Sequence, residues 1–268
     1  MPLRVAAISF SNAAPLYWSL QRGVPDPRLE VSYHLPSQCA GMLESGDVDV
    51  ATIPAAAYTR IADLCIVPNI AIASRQAVRS ILLVCKVPRE QIRRVALDTS
   101  SMTSVALTKV LLSKWRVAVE SYASAPPILD DMLAGSDAAL LIGDPALQVD
   151  RSRFETYDLC EEWVRLTGKS FVFAFWAVRR AAAENARAAH LVDLLQRSRD
   201  EGLRPESLVS LSQEWAPRLG RSVSDIQTYF AENLYYYLDG SCREGLRLFY
   251  RYATECGALP QAPELTYL

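Results

Sequence analysis

The sequence predicts an α/β fold built on mixed, mostly parallel sheets and closed by a helical C-terminal tail. Three observations predict it. Through the first two thirds of the chain, short strand-like runs alternate with helical runs, the rhythm of βαβ units. After residue 180 the strand-like runs cease, and apolar residues recur at three- and four-residue spacing. Half of the 268 residues are apolar, enough for a sizeable core, and the length suits about two domains of roughly 100–200 residues.

Strands are expected at 4–10 (R-V-A-A-I-S-F), 29–35, 48–53 and 80–86 (S-I-L-L-V-C-K), then at 93–98, 116–122, 138–143 and 171–178. Helices are expected between them at 14–22, 37–46, 54–63, 103–114 and 126–134. Their starts are marked by Ser11-Asn12 with Pro15 just inside, by Ser37 after Pro36, and by Pro54 after a strand. Four consecutive helices follow, at 180–200, 205–218, 222–238 and 240–256. The aromatic stripe of Tyr229, Phe230 and Tyr235–Tyr237 is expected to pack the third of these on the core.

Composition narrows the partners. Lys and Arg total 28 and Asp and Glu 30, for a net charge of −2 without a long single-sign run. Neither a nucleic-acid surface nor a membrane surface is indicated. No apolar stretch approaches the roughly 20 residues that span a bilayer, and the first ten residues read as a strand rather than a leader. A cytoplasmic protein is expected. The six cysteines fit no zinc spacing and several sit in apolar runs, so buried free thiols are expected. His34 and His190 are the only histidines, and neither has a motif around it; both read as structural. Neither G-x-G-x-x-G nor a P-loop occurs. No metal or organic cofactor is implied.

The most informative segment is D-T-S-S-M-T-S-V-A-L (98–107). A strand-like run feeds into five hydroxyl residues, Thr99, Ser100, Ser101, Thr103 and Ser104, and then into an apolar helical run. One hydroxyl suffices for a helix cap. Five within six positions point to a receptor for a carboxylate or phosphate, with free N–H groups and side-chain donors together. The other strand-to-helix junctions are also small and polar: Ser9, Ser11 and Asn12; Ser37; Thr52, Ile53 and Pro54; Gly143 and Asp144. Ligands of α/β sheets bind at the carboxyl ends of strands. If these junctions converge, the cleft suits a small polar anion. Arg75 and Arg79 are further candidates for a carboxylate. Asp144 reads first as a cap at Pro145.

These junctions, in this order, resemble the menaquinone-biosynthesis family that contains the chorismate dehydratases of the futalosine pathway. The resemblance rests on I-S-F-S-N-A-A-P-L (8–16), L-P-S-Q (35–38), G-D-V-D-V-A-T-I-P-A-A-A-Y (46–58), V-R-S-I-L-L (78–83), the 95–107 segment, A-A-L-L-I-G-D-P-A-L (138–147), Y-D-L-C-E-E-W (157–163) and F-V-F-A-F-W-A (171–177). It implies a two-lobed, periplasmic-binding-protein-like type II fold with a ligand cleft between the lobes. Lobe one would be 1–86 plus 175–268, and lobe two 87–174. It implies loss of water from chorismate, a small dianion, to give 3-[(1-carboxyvinyl)oxy]benzoate. It also implies catalytic roles for Asn12 and Ser80, with Ser9, Ser11, Ser37, Thr52, Ile53, Pro54, Arg79, Thr99, Ser100, Ser101, Thr103, Ser104, Gly143 and Asp144 binding substrate. The sister enzyme that makes 1,4-dihydroxy-6-naphthoate carries a histidine where this chain has Gly143-Asp144; that departure disfavours it. A non-catalytic binding protein for a small carboxylic acid is the main alternative.

Overall fold

The computed structural model describes residues 2–268. β1 (Leu3–Ile8) is buried at every position except Arg4. It runs into a 3-10 turn, Ser11–Tyr17, that holds Pro15, and then into α1 (Trp18–Arg22). β2 (Leu29–His34), α2 (Pro36–Ser45) and β3 (Val50–Pro54) follow. β2 and β3 both pair with β1 in parallel. A second 3-10 turn, Ala55–Thr59, precedes β4 (Leu64–Ser74).

The second half of the sheet structure comprises β5 (Ile81–Cys85), β6 (Arg94–Asp98), α3 (Met102–Lys114), β7 (Ser121–Ala125), α4 (Leu129–Gly135), β8 (Ala138–Ile142), α5 (Gly143–Leu147), β9 (Glu155–Asp158), α6 (Leu159–Thr167) and β10 (Phe171–Arg179). The tail is α7 (Ala183–Ala188), α8 (Leu191–Gly202), α9 (Pro205–Leu219), α10 (Val223–Thr228), a π-helical turn at Tyr229–Asn233, and α11 (Gly240–Glu255). Among the described residues, no helix is long and apolar enough to cross a membrane.

Two five-stranded sheets result, ordered β2-β1-β3-β10-β4 and β7-β6-β8-β5-β9. They share one plan. In each, the fourth strand is antiparallel to both neighbours, and it is the first strand laid down after the chain crosses over. The expected lobe boundaries therefore move. β5 pairs with β8 and β9, so the first crossing precedes it, between Ser74 and Ile81, rather than following it at 86–88. β10 lies wholly in the first sheet, so the return falls between Thr167 and Phe171. The break at Lys86-Val87-Pro88 ends a strand of the second sheet rather than crossing between the sheets.

β4 stands where the sequence pattern predicts no element, just after the helix expected at 54–63. Pro54 starts only a short 3-10 turn, and Pro68 with Asn69 interrupts the strand pattern. Asn69 adopts a left-handed φ of 61°, and the pairing with β10 shifts register between its two halves. A proline within a strand is tolerated at a sheet edge or bulge. The edge is covered: Ile66 exchanges backbone hydrogen bonds with Thr266 and Leu268, and Ala73 with Tyr235. Such cover removes a template for misassembly. The expected helix over 222–238 also stops early. Residues 234–239 are extended, and Leu234, Tyr236 and Leu238 point inward in turn, a period of two.

β5 shows how the core joins the lobes. Leu83 and Cys85 face a cluster continuous with the first sheet. Leu82 and Val84 face a smaller cluster with Met132 and Leu141 on the opposite side. All six cysteines are free, and five are buried, as expected.

α8 packs on the first 3-10 turn through Gly202, where a Cβ would lie 2.0 Å from the Pro15 carbonyl oxygen. Gly202→Ala should force the helix off that turn and cost about 1–3 kcal/mol of stability. Thermal denaturation reads this directly; a loss under roughly 0.5 kcal/mol, the scale of neutral surface changes, would contradict the packing.

Candidate active site

The shared plan aims both sheets at one place. β1, β3, β6 and β8 end there, while the antiparallel β5 and β10 begin there. The junctions enclose a cavity of about 30 Å3, roughly the share of one water molecule. Asn12, Pro54, Ser101, Ser104 and Gly143 line it, with an apolar wall that includes Phe10, Ile81 and Phe173.

Asn12 is half-buried on the first 3-10 turn. Its Oδ1 is buried and has no hydrogen-bond partner among the described residues. The next residues, Ala13 to Tyr17, are buried, so the turn is anchored and the amide is left to face the cavity. Ser80 is fully buried directly before Ile81, and its Oγ is likewise unpartnered among the described residues. Its carbonyl accepts from the Gly143 N–H at 2.7 Å, tying the start of β5 to the start of α5.

Ser80 is aimed by a strained neighbour. Arg79 has a left-handed φ of 68°, rare for a residue with a side chain. Two carboxylates hold it there. Asp158 accepts from the Arg79 N–H at 2.5 Å, from Val78 N–H at 3.2 Å, and from the N–H groups of Cys160 and Glu161 at the start of α6. Asp225 accepts from the Arg79 guanidinium at 2.6 Å. Arg79 is therefore committed to Asp225 and does not line the cavity. Arg75 is similarly paired with Asp239 at 2.6 Å, over the Tyr235 ring.

The hydroxyl-rich segment divides its labour. Thr99 is exposed. Ser100 turns back, its N–H and Oγ both donating to Asp98 at 2.9 and 2.6 Å. Ser101 caps α3, accepting from the Ser104 N–H, and these two side chains line the cavity. Thr103 points the other way and accepts from the Ala56 N–H at 3.0 Å, a bond between the lobes. So two of the five hydroxyl groups face the cavity. The other three are spent on a turn, a lobe contact and solvent.

The remaining expected residues sort in the same way. Ser9 is exposed, its N–H bonded to the His34 carbonyl. Ser37 is half-buried within α2, and its neighbour Pro36 lines the cavity instead. Thr52 accepts from the Tyr17 hydroxyl at 3.0 Å, and that hydroxyl accepts from the Ile8 N–H; Thr52 fixes the sheet interior. Ile53 is core. Ser11 is fully buried and donates to Asp144 across the seam, from Oγ at 2.5 Å and from its N–H at 3.3 Å. His34, expected to be a satisfied structural histidine, has a buried Nε2 unpartnered among the described residues. Sequence reasoning missed the apolar wall, whose residues look like ordinary core, and Tyr229, whose buried hydroxyl is unpartnered among the described residues. Among the described residues, no three His, Cys, Asp or Glu side chains converge on a metal site.

Burial pushes the Asp144 carboxyl above its ordinary pKa, opposed by the hydrogen bonds from Ser11. A carboxyl raised in the folded state binds more protons folded than unfolded. Its contribution to stability is therefore largest below about pH 4 and falls as pH rises through the folded value. Asp144→Asn keeps an acceptor for Ser11 and removes the charge. The Tm of this variant should gain on wild type as pH rises from about 4 towards 7; a difference independent of pH would contradict the assignment. Gly143 has φ 61°, and a Cβ there would lie 3.1 Å from the Phe10 ring. Gly143→Ala should combine backbone strain with a clash in the cavity wall, costing roughly 1–3 kcal/mol and lowering ligand affinity by calorimetry. Unaltered binding would show that this wall is not part of the site.

Comparison with known proteins agrees with this geometry. Residues 3–255 match the family profile described as menaquinone biosynthesis. A chorismate dehydratase of Thermus thermophilus is 32% identical over 281 residues, covering 95% of this chain and 94% of that protein. Two solved structures share the fold. The periplasmic aliphatic sulphonate binding protein of Escherichia coli has a TM-score of 0.67 at 16% identity, with 99% of this chain and 94% of that chain covered. A Candida albicans protein with the generic periplasmic binding protein fold has a TM-score of 0.63 at 12% identity, with coverage of 98% and 92%. The fold, the order of the junctions and the match over nearly the whole length have one reading: the chain belongs to the menaquinone biosynthesis family.

Proposed function

We propose that the protein is a hydro-lyase that converts chorismate to 3-[(1-carboxyvinyl)oxy]benzoate and water. One observation carries the reading. At the meeting point of the two sheets, the Asn12 amide oxygen and the Ser80 hydroxyl are buried and unpartnered among the described residues. Leaving such atoms unpaired costs roughly 1–3 kcal/mol each, so they mark a place shaped for a ligand rather than for the fold.

The chemistry needed is modest. Elimination removes the ring C3 proton and the C4 hydroxyl, and the ring becomes aromatic. The C3–H electron pair forms the new ring double bond as the C4–O bond breaks, and the proton and the hydroxyl leave as water. Negative charge developing at C3 spreads into the ring carboxylate, so donors on that carboxylate lower the barrier. Ser101 and Ser104, at the start of α3, are the donors that line the cavity. None of the lining groups is a base of ordinary strength at neutral pH. The substrate's enolpyruvyl carboxylate therefore takes the proton. Asn12 orients that group, and Ser80 donates to the departing hydroxyl.

A ten-carbon dianion does not fit a cavity of about 30 Å3. Binding parts the bonds from Ser11 to Asp144 and from Ala56 to Thr103, and reclosure excludes water from the reacting ring.

Purified protein incubated with chorismate should release a species lighter by one water. Asn12→Ala and Ser80→Ala should each lower kcat by about 10²–10³-fold, the scale of losing one positioned donor. Saturable binding without turnover would leave a binding protein and overturn the dehydratase. Full kcat in both variants would remove these residues from the mechanism.

A further inference from the structure

A second cleft, of about 870 Å3, opens between the second lobe and the helical tail. It shares no lining residue with the cavity that Asn12 lines. One wall is residues 146–151, the end of α5 and the loop after it; the other is residues 217–221, where α9 ends and the chain turns at Gly220. Four arginines line the cleft, Arg79, Arg151, Arg218 and Arg221, against one acidic residue, Asp150.

The carboxylates that hold these arginines are too few to match them. Asp225 is shared: it accepts from the Arg79 guanidinium at 2.6 Å and lies 4.0 Å from Arg221 Nε. Glu214 is shared in the same way, between Arg22 and Arg218, the latter at 3.2 Å. Arg221 also donates from Nε to the Leu147 carbonyl at 2.9 Å, across the seam between tail and lobe. Arg151 donates from Nε to Thr156 at 3.1 Å, and among the described residues it forms no ion pair. Five guanidinium groups thus meet three carboxylates, in a chain whose net charge is −2. Like charges held together in a concave place raise the local concentration of anions.

The arginines come from separate elements: the crossing segment, the loop after α5 and the end of α9. A carboxylate is planar and matches one guanidinium fork. A phosphate group is tetrahedral and can accept from several forks at once. The cleft is also far larger than a phosphate, within the range of sites for small organic ligands.

We propose that this cleft is a second ligand site, one that takes the phosphate group of a small phosphorylated molecule between Arg151 of the second lobe and Arg218 of the tail. A ligand held there bridges the two lobes on a face separate from the cavity. The inference goes beyond the proposed reaction and stands or falls without it.

Inorganic phosphate is the probe, titrated into the whole protein by calorimetry at about pH 8, with chloride holding the ionic strength constant. Wild type should bind phosphate saturably. Arg151→Gln and Arg218→Gln should each weaken binding about 10-fold or more, the scale of losing one charge-assisted contact. Both side chains are exposed, so both variants should keep the wild-type melting behaviour without phosphate. Arg60→Gln is the control. It removes an exposed arginine from a different cleft, lined also by Arg179 and Arg180, and phosphate affinity should stay within about twofold of wild type. No saturable binding to wild type, undiminished binding in Arg151→Gln or in Arg218→Gln, or an equal loss in Arg60→Gln would each overturn the site.

Discussion

Across the seam between the lobes, Ser11 donates to Asp144 and Thr103 accepts from Ala56. The site depends on these bonds. They fasten the 3-10 turn after β1 to the start of α5, and the turn after β3 to α3. Every polar residue at the seam that takes part in fastening is satisfied by another. The residues left over, Asn12 and Ser80, are the ones assigned to the ligand. A cavity made in this way is small and lined partly by apolar side chains. Hydrogen bonds to developing charge are stronger there than in water.

Keeping Ser80 unsatisfied takes support from elsewhere. The left-handed Arg79 is held by Asp158, which gathers four backbone N–H groups, and by Asp225 in the tail. Strained positions persist only where the surroundings over-determine them. The helical tail is thus more than a cover for the first sheet. It shields the β4 edge and clamps the segment that crosses between the sheets. The two sheets build the walls, and the tail holds the segment that leads into β5.

Much of this was legible in the sequence. The βαβ rhythm, the polar junctions and the change to helices near residue 180 all correspond to elements of the fold. The run of five hydroxyl groups was legible as a polar strand-to-helix junction, but not the division within it. Whether Thr103 faces the cavity or the other lobe depends on where Ala56 lies, which no local pattern encodes. β4 was hidden by Pro68, because a proline argues against a strand unless the strand is at an edge. β5 was assigned to the wrong lobe because its own sequence reads the same in either sheet; only pairing with β8 and β9 decides. Tyr229 was read as helix packing, since an aromatic stripe at helical spacing carries no sign that one hydroxyl lacks a partner.

The central claim is that protein groups here orient and donate, while the substrate supplies the base. The pH dependence of kcat with chorismate tests it most directly. With no protein base to ionise, kcat should stay level from about pH 6 to about pH 9, in wild type and in Asp144→Asn alike. A limb that titrates within that range, and that Asp144→Asn abolishes, would instead make a carboxylate of the protein the proton acceptor and contradict the account.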